Sequence, residues 1–558
     1  MPPRNYPPDV SNLVIASAQH PYRGAYHGRA RGRSPDYLGP GFLLDAGRGS
    51  DSTINTIPQD DPYVIDDVRI DEGRYEEPHR STGFWDPRMQ GIRKQVAYEW
   101  ARMLLILVLY IMAILCMYWA VLFHVNKNMV NITVHVVDFD GQVAPYDYVT
   151  PLVGPAVTDV VEQMRSMQPT LGYTIVPPEH YNYDPIAVRQ AVYDWHAWAA
   201  IIINPNATAL LQEAVATGNA SYNPIGAIQF IIQSARQETV HANYIVPQLQ
   251  TIARNFAAQF GPSWTQSVMT NDSLSLDVLT RVPAAINPGV TPLTIDLRPF
   301  GPATATPAVT IGLIYLIIVA FFSFAFFLPI HMKFVMPGAH PPLHYWQLII
   351  MRICATVTTY FFVSLIYSLV SLAYQIPFWP PPASQTEPAF NATAYGRGSF
   401  VVYWMVNFLG MNALGIACEN VAQIVGQPWT AAWLIFWVIT NVATSFNSIE
   451  LAPGFFKWGY AWPLHHIVQA SRQILFDLHS EIGLNLGVLF AWAALNLALF
   501  PVCCYFGRWK MDRQRRSAER NAESYAVYDA AAEGQKKHVP KEKGVLPPIR
   551  KRGFMRGW

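Results

Sequence analysis

Residues Met103–Phe123, MLLILVLYIMAILCMYWAVLF, run for twenty-one positions without a charge. As a helix the run is about 31 Å long, enough to cross the hydrocarbon core of a bilayer, so it predicts a membrane span. Arg93, Lys94 and Arg102 stand before it, whereas residues 126–300 carry seven Lys or Arg against thirteen Asp or Glu. Positive flanks stay in the cytosol, so the chain is expected to emerge on the lumenal or outer side. This orientation fixes the side of every later segment. Residues 1–90 contain no earlier apolar core, so the run reads as a signal anchor rather than a cleaved leader.

The totals agree with a chain that is part membrane and part globule. Of 558 residues, 51% are hydrophobic and only 14% charged, yet the mean hydropathy of +0.14 leaves room for large polar regions. The formal charge of +1 hides a split, because 13 of the 39 Lys and Arg fall in residues 1–102 and 14 in residues 508–558. Both tails are therefore expected in the cytosol, which requires an even number of spans. Residues 1–90, rich in Pro, Gly, Arg and Tyr and then acidic, bury too little apolar surface to fold and are expected to be disordered. The basic tail 508–558 suits anionic lipid headgroups, or serves only as a topogenic charge. All five cysteines lie in apolar spans, so no disulfide framework or thiolate metal site is expected in the exposed domain.

After the first span and its juxtamembrane segment, residues 91–125, strand-length apolar runs alternate with helical periodicity through residues 126–305. ITVHVVDF, PAVTDVVEQMRSM, GYTIVPP, PIAVRQAVYDW and AWAAIIINP predict an α/β domain with a small, partly parallel sheet. It carries Asn-x-Ser/Thr acceptors at Asn131, Asn206, Asn219 and Asn271, and a fifth, Asn391, follows the third span. All five fall where the charge rule puts the outside, by independent chemistry, and they are the expected glycosylation sites. Asp138 and Asp140 end a strand, where carboxylates cap turns; a calcium loop needs more oxygen ligands at a repeating spacing. His180, His196 and His241 have no second ligand at helical or strand spacing.

Residues 306–507 are expected to form a five-helix bundle, with spans near 308–330, 353–374, 400–425, 429–446 and 482–505. The fold class is thus a polytopic α-helical membrane protein of six spans, with an extracytosolic α/β domain inserted between the first and second. A polar residue inside a span must face a partner or a wet cavity, so Asn412, Glu419 and Gln423, on one helical face, form the candidate intramembrane site. Glu419 suits a proton or a cationic substrate, and equally a structural hydrogen bond to Asn441 in the adjacent span. After Pro463, the spacing of Leu464, Ile467, Val468, Leu475, Leu478 and Ile482 predicts an amphipathic helix over 463–481 lying on the outer leaflet. His465, His466 and His479 lack a carboxylate or cysteine at ligand spacing, so no metal is expected.

The stretches DWHAWAAIIINPNAT, FAFFLPIHMKF, SLIYSLVSLAYQIPF and FFKWGYAWPLHHIVQASRQILFDLHS closely resemble the fungal nitrosoguanidine-resistance membrane proteins. The resemblance covers roughly residues 110–507 and excludes both tails. One span, a large exterior domain and five further spans is also the layout of ABC-2-type exporter membrane halves. The resemblance implies a multi-pass plasma-membrane protein, reached through the secretory pathway, that contributes to tolerance of toxic small molecules. It supplies no catalytic or binding residues. No nucleophile, base and orienter can be assembled from spacing, so no enzyme activity and no cofactor are expected. There is no GxxxxGK[ST], so energy for export of an amphiphilic small molecule or lipid would come from a partner or an ion gradient. The expected partners are the bilayer, such a substrate, and a second copy or separate protein, with no nucleic acid; a non-transporting scaffold is the alternative.

Overall fold

The computed structural model describes residues 83–536, except 273, 335–340, 342 and 427–428. The disordered tail expected over 1–90 falls almost wholly outside the described residues, as does the C-terminal tail beyond 536. Helix α1 (Gln90–Ala120) contains the apolar run as far as Ala120, and none of the side chains of Gln90–Tyr110 is buried. An apolar helix that leaves its side chains uncovered needs lipid around it. Its Tyr110 hydroxyl donates to the Ala432 carbonyl at 2.5 Å, tying it to the bundle.

Beyond it the chain builds a five-stranded mixed sheet in the order β2-β1-β3-β4-β5, from β1 (Thr133–Asp138), β2 (Gly172–Ile175), β3 (Ala199–Ile203), β4 (Ile225–Ile232) and β5 (Thr291–Asp296). β1 pairs in parallel with β2 and β3, and β4 in parallel with β5; the β3–β4 pair is antiparallel. β3 is buried on both faces because helices cover both. Ala199, Ile201 and Ile203 join the core under α2 (Val153–Ser166), α4 (Ala207–Thr217) and α5 (Val246–Met269), while Ala200 and Ile202 join that under α3 (Pro185–Tyr193). Asp140, just past β1, is fully buried. Its carboxylate accepts from the backbone N–H of Gly154 (3.1 Å) and from the N–H (2.8 Å) and hydroxyl (2.5 Å) of Thr208, at the starts of α2 and α4.

The helical part comprises α6 (Ile314–Met332, continued back to Ala303 by short turns), α7 (Tyr345–Ala373), α8 (Ser399–Val425), α9 (Trp429–Ala443), α10 (Pro463–Phe476) and α11 (Ile482–Lys536). α8 is the hub, with every residue from Leu409 to Asn420 buried. Tyr403 lies level with Ala308 and Gly415 with Ala320, so α6 and α8 run in one direction. Asn496 meets Ala413 and Lys510 meets Val425, so α11 follows the same direction. α7 runs against them, joining Ser371 to Tyr403 at one end and Arg352 to Glu419 at the other.

Two expectations change here. Among the described residues five helices, α1, α6, α7, α8 and α11, are long and apolar enough to cross a membrane, and α9, the remaining expected span, is shorter than expected. α9 has 15 residues, about 22 Å, because its expected end carries Thr440, Asn441, Thr444 and Ser445, which are buried against α10 and its approach instead of lipid. The helix expected on the outer leaflet forms as α10 but is enclosed, with Leu464, Ile467, Ile474 and also His466, Arg472 and Gln473 buried. Its polar face meets the α/β domain: Arg472 pairs with Glu238 at 2.7 Å and donates to the Arg236 carbonyl at 3.1 Å. His466 hydrogen-bonds Asn485 Oδ1 at 2.8 Å and the Tyr460 carbonyl at 2.7 Å. Amphipathicity reports that one face needs polar partners; here protein supplies them in place of headgroups.

Candidate functional site

Glu419, in the middle of the buried stretch of α8, is 1% exposed and pairs with Arg352 of α7, itself 7% exposed. Thr356, one turn further along α7, donates to the other carboxylate oxygen at 3.3 Å. Arg352 also donates to Gln423 Oε1 at 3.3 Å, and its guanidinium carbon lies 5.1 Å from the centre of the Phe500 ring. An isolated charge at such depth is costly, whereas a paired and hydrogen-bonded one is tolerated. The four expected site residues therefore separate. Glu419 and Gln423 gather around Arg352. Asn412 donates to the Phe408 carbonyl of its own helix at 2.8 Å. Asn441 donates to the Trp437 carbonyl at 2.9 Å and accepts the Leu464 N–H at 3.2 Å, capping α10 rather than meeting Glu419. Arg352 was legible only as inner-flank charge, because no sequence spacing links it to a carboxylate 67 positions away.

One cavity lies near the start of α11 and another near its residues 504–514. The latter, on the side expected to be cytosolic and so called the inner cavity, has about 350 Å³, borders Arg352 and Gln423, and is lined by Arg508 and Lys510 of α11 and by Leu328, Met332 and Leu348 of α6 and α7. A water-sized void of about 10 Å³ lies beside it, against Glu419, His331, Thr356 and Tyr360.

The second cavity, about 380 Å³, lies between the α/β domain, α10 and the start of α11. Arg236 reaches into it with its guanidinium over Trp198 (3.8 Å) and near Trp195 (4.9 Å), and donates to the Ala197 carbonyl at 3.1 Å. Burial lowers its pKa to about 10, against the opposing pull of Glu450 and Glu481 on the same wall. Burial likewise pushes the Tyr460 phenol up to about 12 and the His465 imidazole down to about 4. This chamber is therefore lined by two arginines, Arg236 and Arg472, two acidic residues, Glu450 and Glu481, and two histidines, His465 and His466, among aromatic rings. Its residues come from segments as distant as Trp195 and Asn485, which is why the sequence did not assemble them.

Among the described residues no group of three or more His, Cys, Asp or Glu is placed to hold a metal ion. His479 instead lies 3.3 Å from Asp194. Asn131, Asn219, Asn271 and Asn391 are exposed and Asn206 is half-buried; the Asn131 amide donates to the Glu450 carbonyl at 2.9 Å.

No solved structure matches the chain. It is similar to an uncharacterized endoplasmic reticulum membrane protein of Saccharomyces cerevisiae, 26% identical over 492 residues that cover 84% of this chain and 92% of the relative. The family model described as a protein of unknown function, DUF3533, matches residues 103–498, which include most of α1, the sheet, α10, Arg352 and Glu419 but end before Arg508 and Lys510, and the chain belongs to that family.

Proposed function

We propose that this membrane protein moves amphiphilic small molecules or lipids across the bilayer as an ABC-2-like exporter component, with energy supplied by a partner protein or an ion gradient. The observation that carries the reading is the pair of chambers at the two ends of the uncharged run of α11, one bordering Asn485 and the other Cys504. Nineteen helical residues separate these positions, about 29 Å, so a substrate leaving one leaflet and arriving at the other has a site at each. The buried Arg352–Glu419 pair beside the inner chamber supports a role for Glu419 in coupling. In this reading both tails lie in the cytosol, as the Lys and Arg counts of the sequence suggest, and α9 with the segment after it carries the chain back between α8 and α11, whose shared direction supports such a return. The α/β domain, carrying glycans, then projects outside. Tolerance of toxic small molecules follows if they are the cargo, and no catalysis is assigned to the chain. The plasma membrane is the proposed address, with the endoplasmic reticulum, named for the yeast relative, as its rival.

A second reading, a scaffold that organises lipid without transport, is favoured by the closed core between the chambers, where Leu414, Leu489 and Phe500 are buried. Reconstitution in liposomes with a labelled amphiphile separates the two. Flux that requires a gradient or an added partner supports export; retention of the label under every such condition supports the scaffold.

A further inference from the structure

We propose that the inner cavity binds the phosphate-bearing head of an anionic amphiphile, with the chain of the ligand against its apolar wall. This deepens the export reading by naming the ligand chemistry, and it requires binding alone.

The charge of the cavity is one-sided. Arg352, Arg508 and Lys510 line it, and no Asp or Glu is among its lining residues. Glu419, behind the wall, neutralises Arg352. Arg508 and Lys510 have no carboxylate within ion-pair distance among the described residues. Lys510 donates to the Ile424 and Val425 carbonyls at 3.3 and 3.0 Å, where the negative end of the α8 dipole fixes its ammonium group beside the cavity. Two cations without counter-charges next to hydrogen-bond donors call for an anion with several acceptor oxygens.

The opposite wall excludes a simple inorganic ion as the best fit. Leu328 and Met332 of α6 and Leu348 of α7 offer hydrocarbon contact that a bare phosphate leaves unused. The volume of about 350 Å³ lies within the usual range for small-molecule sites. Its place also fits, because the uncharged run of α11 from Ile482 ends at Gly507, within the cavity lining, where headgroups begin.

The full chain, purified in a mild detergent, is tested by native mass spectrometry against phosphatidic acid, phosphatidylcholine and soluble glycerol 3-phosphate. We expect phosphatidic acid to be retained at least tenfold over phosphatidylcholine, with little retention of glycerol 3-phosphate. Arg508→Gln and Lys510→Gln should each lower retention about fivefold, and Arg508→Lys should restore most of it. Unchanged thermal unfolding in Arg508→Gln separates loss of the site from loss of the fold. Equal retention of the two lipids, or undiminished retention in the Arg508→Gln/Lys510→Gln double variant, overturns the proposal. Equal binding of glycerol 3-phosphate also overturns it, assigning the cavity to soluble phosphate esters. A chain that holds phosphatidic acid yet gives no flux in liposomes refutes export and leaves this site standing.

Discussion

Arg298, just past β5, and Asp477, at the end of α10, form a buried salt bridge of 2.8 Å that joins the sheet to the helices. Arg298 Nε also donates to the Asp477 carbonyl at 3.1 Å, and its other donors go to the carbonyls of Leu297, Ser384 and Glu387. Asp477 itself adopts a left-handed conformation (φ 49°) and accepts the Ala383 N–H at 3.0 Å. Replacing Arg298 by Met strands the carboxylate in a dry junction, and we expect a loss of about 3–5 kcal/mol. Arg298→Lys keeps the charge without the planar fork and should recover only part. Thermal unfolding of the purified chain measures both.

The Arg352–Glu419 pair gives a test of function as well as stability. Glu419→Gln leaves Arg352 without a counter-charge and should destabilise by about 3 kcal/mol, while the double variant Arg352→Met/Glu419→Leu should regain most of that. If the pair couples export, the double variant stays inactive in liposome flux although it is stable. Full flux and drug tolerance in Glu419→Gln would reduce the pair to architecture.

Gly415 marks a close approach of three helices within the bundle. A β-carbon there would sit 2.7 Å from Ala320 Cβ of α6 and against the Tyr360 hydroxyl of α7. Small residues permit such helix contacts in membranes, so Gly415→Ala should cost about 1–3 kcal/mol by forcing α6 or α7 outward. Gly483, where a β-carbon would meet nothing within 4 Å, provides the control: Gly483→Ala should be nearly neutral in the same melt.

Acid should loosen the α/β domain. His241 is 1% exposed and burial lowers its pKa from 6.5 to about 4, with Arg236 and Arg472 adding to the effect and the Gln237 carbonyl, 3.0 Å away, opposing it. The unfolded chain takes up this proton near 6.5 and the folded chain only near 4, so stability falls as pH drops through that window and is flat above it. The full effect is about 3 kcal/mol. His241→Gln should flatten the slope of melting temperature between pH 6.5 and pH 4, apart from the share belonging to His465.

Sidedness is checked without any knowledge of cargo. Endoglycosidase should reduce the apparent mass of the chain, and replacing Asn131, Asn206, Asn219, Asn271 and Asn391 by Gln should abolish the shift. In sealed right-side-out vesicles a C-terminal tag should resist protease until detergent is added. A tag removed from intact vesicles contradicts the topology on which the export reading depends.

The first span and the alternation of the sheet were readable because each is a local pattern. Met103–Phe123 is apolar at every position that matters, and Ile201–Ile203 continues an apolar run long enough to be a buried strand. The single face shared by Asn412 and Glu419 was also local, being a matter of helical period. What those residues touch was not. Asn441 turned out to cap α10, and Glu419 to meet an arginine that the sequence offered only as a topogenic flank.

Hydropathy and charge order, summed along the backbone, determined by themselves that this chain enters a membrane and where its polar globule begins. Tertiary structure alone decided that α10 is enclosed, that α9 falls short of a crossing length, and that Arg236 and Glu481 line one chamber. The physical reason is that desolvation depends on every neighbour in space. A polar side chain in the sequence states only that it requires a partner, and folding chooses which one.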